Sequence, residues 1–294
     1  MKKRVLALTL AVLSAVGILA GCSKTEKSIV VGAKDYTEQD VLGNIVALLL
    51  DKNTDIQVTY KHEMSSNVIF AAVQSGDVDV YVDYTGTVYG SYLGYSDIKP
   101  ADEVYNISVE ELKEKYNLLM LEPLGFNNTY CLAVRPDTAA QFGLKTFSDL
   151  AKVSSDFIFG GGFEILNRND GIPNLKIVYN LTFKEELAVE GVLRYSAIAN
   201  DETQVTEAFS TDGMLLEYDL VVLEDDKSFF PPYHAAPVIR EETAKKYPEL
   251  LTVLGKLAGI LSDDAMRELN YKVDVLKEDP KDVAEGFLKS QGLI

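Results

Sequence analysis

Histidine, cysteine and tryptophan are nearly missing from this chain, which has two histidines, two cysteines and no tryptophan among 294 residues. His62 and His234 stand alone, and the sequence contains neither a Gly-x-Ser-x-Gly nor a His-Glu-x-x-His motif. Hydrolysis by an activated nucleophile or by a bound metal therefore has no supporting pattern. Asp225 and Asp226 could hold a metal, but solvation or helix capping explains adjacent carboxylates more simply. We expect no enzymatic activity, no metal and no cofactor.

Two cysteines cannot build a disulfide framework or a cysteine-based zinc site. Cys131 follows Tyr130 and precedes Leu132 in an apolar run. We expect it to be a buried strand thiol without an intramolecular partner.

Basic residues are also scarce, because 28 Lys and Arg stand against 45 Asp and Glu, which gives a formal net charge of −17. This balance argues against nucleic-acid binding, which needs a basic footprint. It keeps an exported protein soluble and would concentrate a cationic solute. A solvated acidic surface without any bearing on the ligand explains it equally well.

Long hydrophobic runs are absent as well, and the apolar segment 5–16 is too short to span a bilayer. It follows Lys2-Lys3-Arg4 and precedes Leu19-Ala20-Gly21-Cys22, which is the pattern of a bacterial lipoprotein signal. We expect residues 1–21 to be removed, Cys22 to be lipidated and anchored to the cell membrane, and residues 22–28 to form a tether. The alternatives are an ordinary secretory signal and a membrane anchor with an incidental cysteine.

The remaining chain alternates between strand and helix patterns. Apolar strands at 28–32, 56–61 and 78–84 are separated by segments with helical spacing at 41–49 and 68–73. Thr37 and Asp40 have the spacing of a capping box for the first helix, and Gly76 is suited to end the second. The pattern predicts a βαβαβ unit with a parallel sheet.

A second α/β lobe is predicted beyond a Gly- and Asn-rich segment at 125–130. Within it we predict a helix at 184–189 and a strand at 194–198, which precede the segment 205–209. The chain then returns near 224, so that residues 29–126 and 225–294 form a discontinuous first lobe and 127–224 the second. The predicted class is α/β, with two lobes and two crossing segments.

Polar side chains follow the predicted strands, where open α/β sheets bind their ligands. Tyr84-Thr85-Gly86-Thr87 follows the third strand, Lys34 the first, and Asn67 lies beyond the second. The glycines at 160–162 lack the Lys-Ser/Thr of a phosphate-binding loop. Arg168 is more informative, because its guanidinium fork fits a carboxylate, although a surface ion pair would also explain it.

Four aromatic residues border polar turns in the two lobes: Tyr84, Tyr130, Phe209 and Tyr233. A quaternary ammonium cannot donate a hydrogen bond, so proteins select it with aromatic faces. One desolvated cation–π contact contributes about 2 kcal/mol, and three or four would contribute roughly 6–8 kcal/mol. A single tyrosine is more typical of packing, and it is the position of these four at non-periodic turns that favours a cage.

These motifs resemble those of the substrate-binding proteins of ABC importers for glycine betaine, carnitine and choline. The resemblance spans about residues 28–294, and its motifs occur in order at 34–39, 84–87, 128–130, 168–171, 210–213 and 223–233. It implies a bilobal, type II periplasmic-binding-protein fold that closes on its ligand like a Venus flytrap. It also implies delivery of the ligand to an ABC permease with its ATPase, and we expect a monomer.

The resemblance assigns roles to individual residues. It implies an aromatic box of Tyr84, Tyr130 and Tyr233, with Phe209 where the family usually has tyrosine. It also implies contacts with the polar end of the ligand from four residues: Lys34, Thr87, Asn128 and Arg168. Asn67 occupies a position that varies with the ligand, and we expect a weaker contact there.

Two questions stay open at this point. A sensory or adhesive lipoprotein on the same fold would bind another small cationic or zwitterionic solute without a permease. Arg168 and Lys34 favour a ligand with a carboxylate, such as glycine betaine or carnitine, but choline-binding members of the family can retain such residues.

Overall fold

The computed structural model describes residues 27–167 and 171–294. The predicted signal segment 1–21, the lipidation site Cys22 and the predicted ligand contact Arg168 lie outside these residues.

Within the described residues, ten strands form two five-stranded mixed sheets, with strand orders β2-β1-β3-β10-β4 and β7-β6-β8-β5-β9. The strands are β1 (Ser28–Lys34), β2 (Gln57–Met64), β3 (Val80–Tyr84), β4 (Leu118–Met120), β5 (Tyr130–Val134), β6 (Ile158–Gly161), β7 (Glu185–Ala188), β8 (Val205–Phe209), β9 (Val221–Leu223) and β10 (Ala235–Arg240). Each sheet carries its own hydrophobic cluster, so the described chain has two lobes.

Helices cover the sheets and complete the first lobe after β10. They are α1 (Thr37–Asn53), α2 (Ser66–Ser75), α3 (Thr85–Thr87), α4 (Ala101–Tyr116), α5 (Pro136–Phe142), α6 (Phe147–Leu150), α7 (Phe163–Asn167), α8 (Ile172–Tyr179), α9 (Leu193–Ala199), α10 (Met214–Glu217), α11 (Glu241–Lys246), α12 (Glu249–Leu254), α13 (Asp263–Asp274) and α14 (Pro280–Ser290). A π-helix at Val88–Tyr92 continues α3, and short 3-10 helices lie at Ser154–Asp156 and Gly255–Leu257.

The predicted βαβαβ unit is confirmed. Strand β1 pairs in parallel with β2 and with β3, and the register places Val31 opposite Val80. Helix α2 ends at Gly76, whose φ of 92° is the left-handed conformation that glycine adopts without strain. The three strands therefore end at the same edge of the sheet, where the polar turn after Tyr84 begins.

The predicted cap of α1 is wrong. Tyr36 is the N-cap residue and its side chain makes no capping bond, while Thr37 is the first helical residue. The Thr37 hydroxyl instead donates to Asp274 Oδ1 at 2.6 Å. A local capping pattern was thus overridden by a contact with α13, 237 residues away in sequence.

The sequence also assigns the region 184–198 wrongly. The predicted helix at 184–189 is the edge strand β7, which pairs in parallel with β6, and the predicted strand at 194–198 is helix α9. Two adjacent glutamates give β7 a helix-like composition, and pairing with a neighbouring strand outweighs this weak local preference. Cys131 is a buried free thiol in β5, as predicted.

Two segments cross between the lobes side by side. Residues 127–129 run beside residues 231–234: Asn127 bridges His234, and the Thr129 hydroxyl donates to the Pro231 carbonyl at 3.0 Å. Phe229 and Phe230 still pack in the hydrophobic cluster of the second lobe. We therefore propose that the return crossing lies at 231–234 rather than near 224, and we keep 126 as the first crossing.

Candidate functional site

Strand β3 and the turn after it supply the first wall of the site. Tyr84 ends β3 with only 4% of its surface exposed, and it belongs to the core of the first lobe. A Cβ atom on Gly86 would lie 2.7 Å from the Tyr233 ring and 2.7 Å from the Pro232 carbonyl oxygen. Because this approach is open only to glycine, Gly86 brings the Tyr233 ring of the return crossing close to the turn after Tyr84.

The second lobe supplies a facing pair of rings. Tyr130 begins β5, Phe209 ends β8, and the antiparallel register places the two residues opposite each other. Their ring centroids are 4.6 Å apart with planes inclined by 32°, and Phe230 stands 5.7 Å behind Tyr130. Cross-strand pairing therefore fixes both rings at the edge of the second sheet that faces the first lobe.

These walls enclose a cavity of about 530 Å³ between the lobes. Its lining contains six of the predicted site residues: Tyr84, Thr87, Asn128, Tyr130, Phe209 and Tyr233. It also contains residues that the sequence did not single out as contacts: Tyr36, Thr37, Glu38, Thr129, Thr211, Asp212, Asn270 and Asp274. The described lining holds no lysine, arginine or histidine.

Lys34 does not line this cavity, although the resemblance implied that it meets the ligand. Its ammonium group donates to Asp83 Oδ1 at 2.5 Å, and the two side chains are 2% and 0% exposed. The same ammonium nitrogen lies 5.2 Å from the centroid of the Tyr84 ring. Lys34 therefore supports the cage ring from within the lobe. Asn67 is exposed on α2 and is likewise not among the lining residues.

Glu38 is the principal residue that sequence reasoning missed. Its carboxylate is 4% exposed and accepts hydrogen bonds from the Tyr84 hydroxyl at 2.6 Å, the Asn128 amide at 2.8 Å and the Asn270 amide at 2.9 Å. Burial raises the pKa of Glu38, while these donors and the Thr211 side chain act in the opposite direction. Its sequence signal is an acidic residue in the first turn of the helix that follows β1, where an acidic residue is also typical of an ordinary helix start.

Helix α13 of the first lobe forms hydrogen bonds with the turn that follows Phe209. The Arg267 guanidinium donates from Nε and Nη2 to the Ser210 carbonyl oxygen, at 3.0 and 2.7 Å. The Asn270 amide donates to the Thr211 carbonyl oxygen at 2.9 Å as well as to Glu38. We call Arg267, Asn270, Ser210 and Thr211 the interlobe clamp, because it joins one lobe to the other beside a cage ring.

Asp212, next to this turn, has its own cation. It pairs with Arg194 at 3.1 Å and accepts a hydrogen bond from the Tyr195 hydroxyl. Within residues 27–167 and 171–294, no group of three or more histidine, cysteine, aspartate or glutamate side chains is arranged to hold a metal ion. In the same part of the chain, no helix combines the length and apolar character of a membrane span.

Comparisons with known proteins agree with this geometry. The family model for the substrate binding domain of an ABC-type glycine betaine transport system matches residues 27–290. The chain is 39% identical over 269 residues to the ergothioneine transport permease/ergothioneine binding protein EgtU of Helicobacter pylori, a match that covers 91% of this chain and 48% of that protein. The chain thus spans about half the length of that relative.

A second relative matches over nearly its whole length. The carnitine transport binding protein OpuCC of Listeria monocytogenes is 33% identical over 299 residues, covering 98% of this chain and 97% of that protein. Among solved structures, the crystal structure of a glycine betaine/carnitine/choline ABC transporter is 32% identical and superposes with a TM-score of 0.85 over 90% of this chain and 99% of that one. The predicted bilobal, type II periplasmic-binding-protein fold is thereby confirmed.

Proposed function

We propose, from the premise that this chain belongs to the family of substrate-binding domains of ABC-type glycine betaine transport systems, that its cavity captures a trimethylammonium solute. Membership of this family makes the chain the extracytoplasmic binding component of an importer and not an enzyme. The ligand, its contacts and the lipid anchor belong to the proposal.

The observation that carries the proposal is the convergence of four aromatic rings on one cavity from both lobes. Tyr84 and Tyr233 stand on one side, Tyr130 and Phe209 on the other, and Tyr36 adds a fifth ring to the lining. Aromatic faces attract a quaternary ammonium through their quadrupoles, at about 2 kcal/mol for each desolvated contact. Three or four such contacts outweigh several kcal/mol of association cost and support micromolar binding, about −8 kcal/mol.

The identity of the ligand is proposed at the level of a class. The names of the relatives include ergothioneine, carnitine, glycine betaine and choline. All four are trimethylammonium compounds, and all but choline also carry a carboxylate. We propose that Thr87 and Asn128 contact the polar end of the ligand and that Arg168 pairs with a carboxylate where one is present, with Asn67 as a weaker contact.

Lys34 has a different proposed role. Its charge is already balanced by Asp83 inside the lobe, and reaching the cavity would break a buried ion pair. We therefore propose that Lys34 acts on the ligand only through the position of the Tyr84 ring.

Anchoring and assembly are proposed from the sequence. Cys22 would carry the lipid, and the binding protein would act as a monomer that presents its loaded, closed form to the permease. Partition of the expressed protein into detergent, lost on Cys22→Ser, would support the anchor, whereas equal partition of both forms would contradict it.

Calorimetric titration of the purified protein with glycine betaine, carnitine, choline and ergothioneine tests the function. We expect at least one of the four to bind with a micromolar dissociation constant. Phe209→Ala should weaken that binding by about 30-fold, the equivalent of about 2 kcal/mol. Phe142→Ala is the matched control, because Phe142 is an exposed ring on α5 and not among the lining residues. No heat from any of the four solutes would refute the proposal.

A further inference from the structure

Glu38 is a buried carboxylate at the hydroxyl end of a cage ring. Tyr84, whose ring faces the cavity, donates its hydroxyl hydrogen to Glu38 Oε1 at 2.6 Å. A ligand cation held against this ring would lie roughly one ring length from a carboxylate oxygen. Glu38 itself lines the same cavity.

Among the described residues, Glu38 has hydrogen-bond donors but no cationic partner. Every group that bonds to it is neutral: Tyr84, Asn128, Asn270 and Thr211. Among the described residues, no Lys or Arg forms an ion pair with it, and none lines the cavity. Neutral donors stabilise the anion without cancelling its charge, so the field of Glu38 extends into the cavity.

The other two carboxylates of the cavity are different. Asp212 is paired with Arg194 at 3.1 Å, so its charge is largely cancelled locally. Asp274 is half-buried and accepts from the Thr37 hydroxyl, and solvent screens it more strongly than the almost fully buried Glu38. Glu38 is thus the carboxylate whose charge a ligand in the cage would experience most strongly.

We infer that Glu38 is a specificity-determining residue that supplies the counter-charge for the ligand's quaternary ammonium. The aromatic faces favour a cation but also accept a bulky apolar group of the right shape, and Glu38 adds a further preference for positive charge. This inference rests on the proposed function and deepens it, because it states how the site would reject a neutral molecule with the same shape as its ligand.

The magnitude is large enough to measure. Two unit charges about 6 Å apart at an effective dielectric constant of about 20 attract each other enough to change an equilibrium roughly 100-fold. Partial screening by the surrounding donors reduces this, so removal of the charge should weaken binding of a cation by at least about 10-fold.

The test compares choline with 3,3-dimethylbutan-1-ol, in which a neutral carbon replaces the nitrogen. Both ligands are titrated into the wild-type protein and into Glu38→Gln, the alcohol by competition with choline. We expect Glu38→Gln to weaken choline at least about 10-fold and the alcohol by less than about 3-fold. Glu114→Gln is the matched control, because Glu114 is exposed on α4 and not among the lining residues, and it should leave the ratio of the two affinities near the wild-type value.

The titrations distinguish a failure of the role inferred for Glu38 from a failure of the proposed function. If both ligands weaken equally in Glu38→Gln, Glu38 only shapes the cavity and the inference is overturned. If choline, glycine betaine, carnitine and ergothioneine all fail to bind the wild-type protein, the proposed function itself fails.

A second measurement covers the case in which Glu38→Gln does not fold. In the wild-type protein, the ratio of choline to alcohol affinity should fall as the pH is lowered, because protonation below the raised pKa of Glu38 removes its charge. Among the described residues, Tyr36 and Tyr84 interact electrostatically with Glu38, and Asp212 and Asp274 are the other carboxylates that line the same cavity. The tyrosines stay protonated throughout, and Asp212→Asn and Asp274→Asn must each retain the fall. A ratio independent of pH would overturn the inference.

Discussion

The interlobe clamp should set how tightly the two lobes hold a ligand, and Arg267→Met is the change that tests it. Arg267 makes two hydrogen bonds to the Ser210 carbonyl oxygen, and its side chain is 14% exposed. Met keeps much of the aliphatic bulk and the packing of α13 on its own lobe, but it cannot donate. The substitution therefore removes a contact that exists only while the lobes are together.

The structure sets the size of the effect. A hydrogen bond to a charged group contributes about 1.5–3 kcal/mol, and the partial exposure of Arg267 reduces this to about 1–2 kcal/mol. Loss of that free energy from the closed state should raise the dissociation constant about 5- to 30-fold, mainly through faster release. The ligand-free protein should also open, which increases its radius of gyration.

Calorimetry, stopped-flow release and small-angle scattering of the ligand-free protein measure these three quantities. Arg135→Met is the matched control, since Arg135 donates to the Ile198 carbonyl at 2.9 Å and pairs with Asp201 at 2.8 Å within one lobe. It should lower the melting temperature without changing affinity. An unchanged dissociation constant in Arg267→Met, or an equal change in Arg135→Met, would refute the reasoning.

The remaining predictions concern the support of the cage. Lys34→Met should lower the free energy of unfolding in urea by about 3–5 kcal/mol, because it leaves the buried carboxylate of Asp83 without its cation. Adding Asp83→Asn should restore part of this loss. Unchanged stability of Lys34→Met would contradict the structural role of Lys34. Gly86→Ala should weaken ligand binding, because the new methyl group would displace the Tyr233 ring, whereas Gly90→Ala, with no neighbouring atom closer than 3.8 Å, should bind like the wild type in the same titration.

Much of the fold could be predicted because the strands of the first lobe are marked by their own residues. The β-branched run before Tyr84 and the Gly76 cap specify the βαβαβ unit locally, and the structure agrees. The region 184–198 could not be predicted in this way. Glu185 and Glu186 favour a helix, and only the neighbouring strand β6, more than 20 residues earlier, makes them part of a sheet.

In the site, too, features marked by local residues could be predicted, and features set by distant partners could not. Rings at polar turns stand out in a sequence, and all four predicted rings line one cavity. The position of Lys34 was not predictable, because its partner Asp83 lies on another strand, and a corner lysine looks the same whether it faces a ligand or an aspartate. Glu38 was missed because three of its four partners are at least 90 residues away in sequence: Asn128, Thr211 and Asn270.

The side-by-side crossing segments constrain how ligand specificity can change during evolution in a protein of this kind. Tyr233 and Asn128 line the cavity and also lie on the two crossings, where the backbone N–H of Asn128 donates to the backbone carbonyl oxygen of Tyr233 at 3.1 Å. The pivot about which the lobes would turn is therefore built partly from the residues that would touch the cargo. A substitution there that adapts the pocket to a new solute would also alter the rates at which the ligand binds and dissociates. At these two positions, a change of ligand specificity would therefore be coupled to a change of binding kinetics.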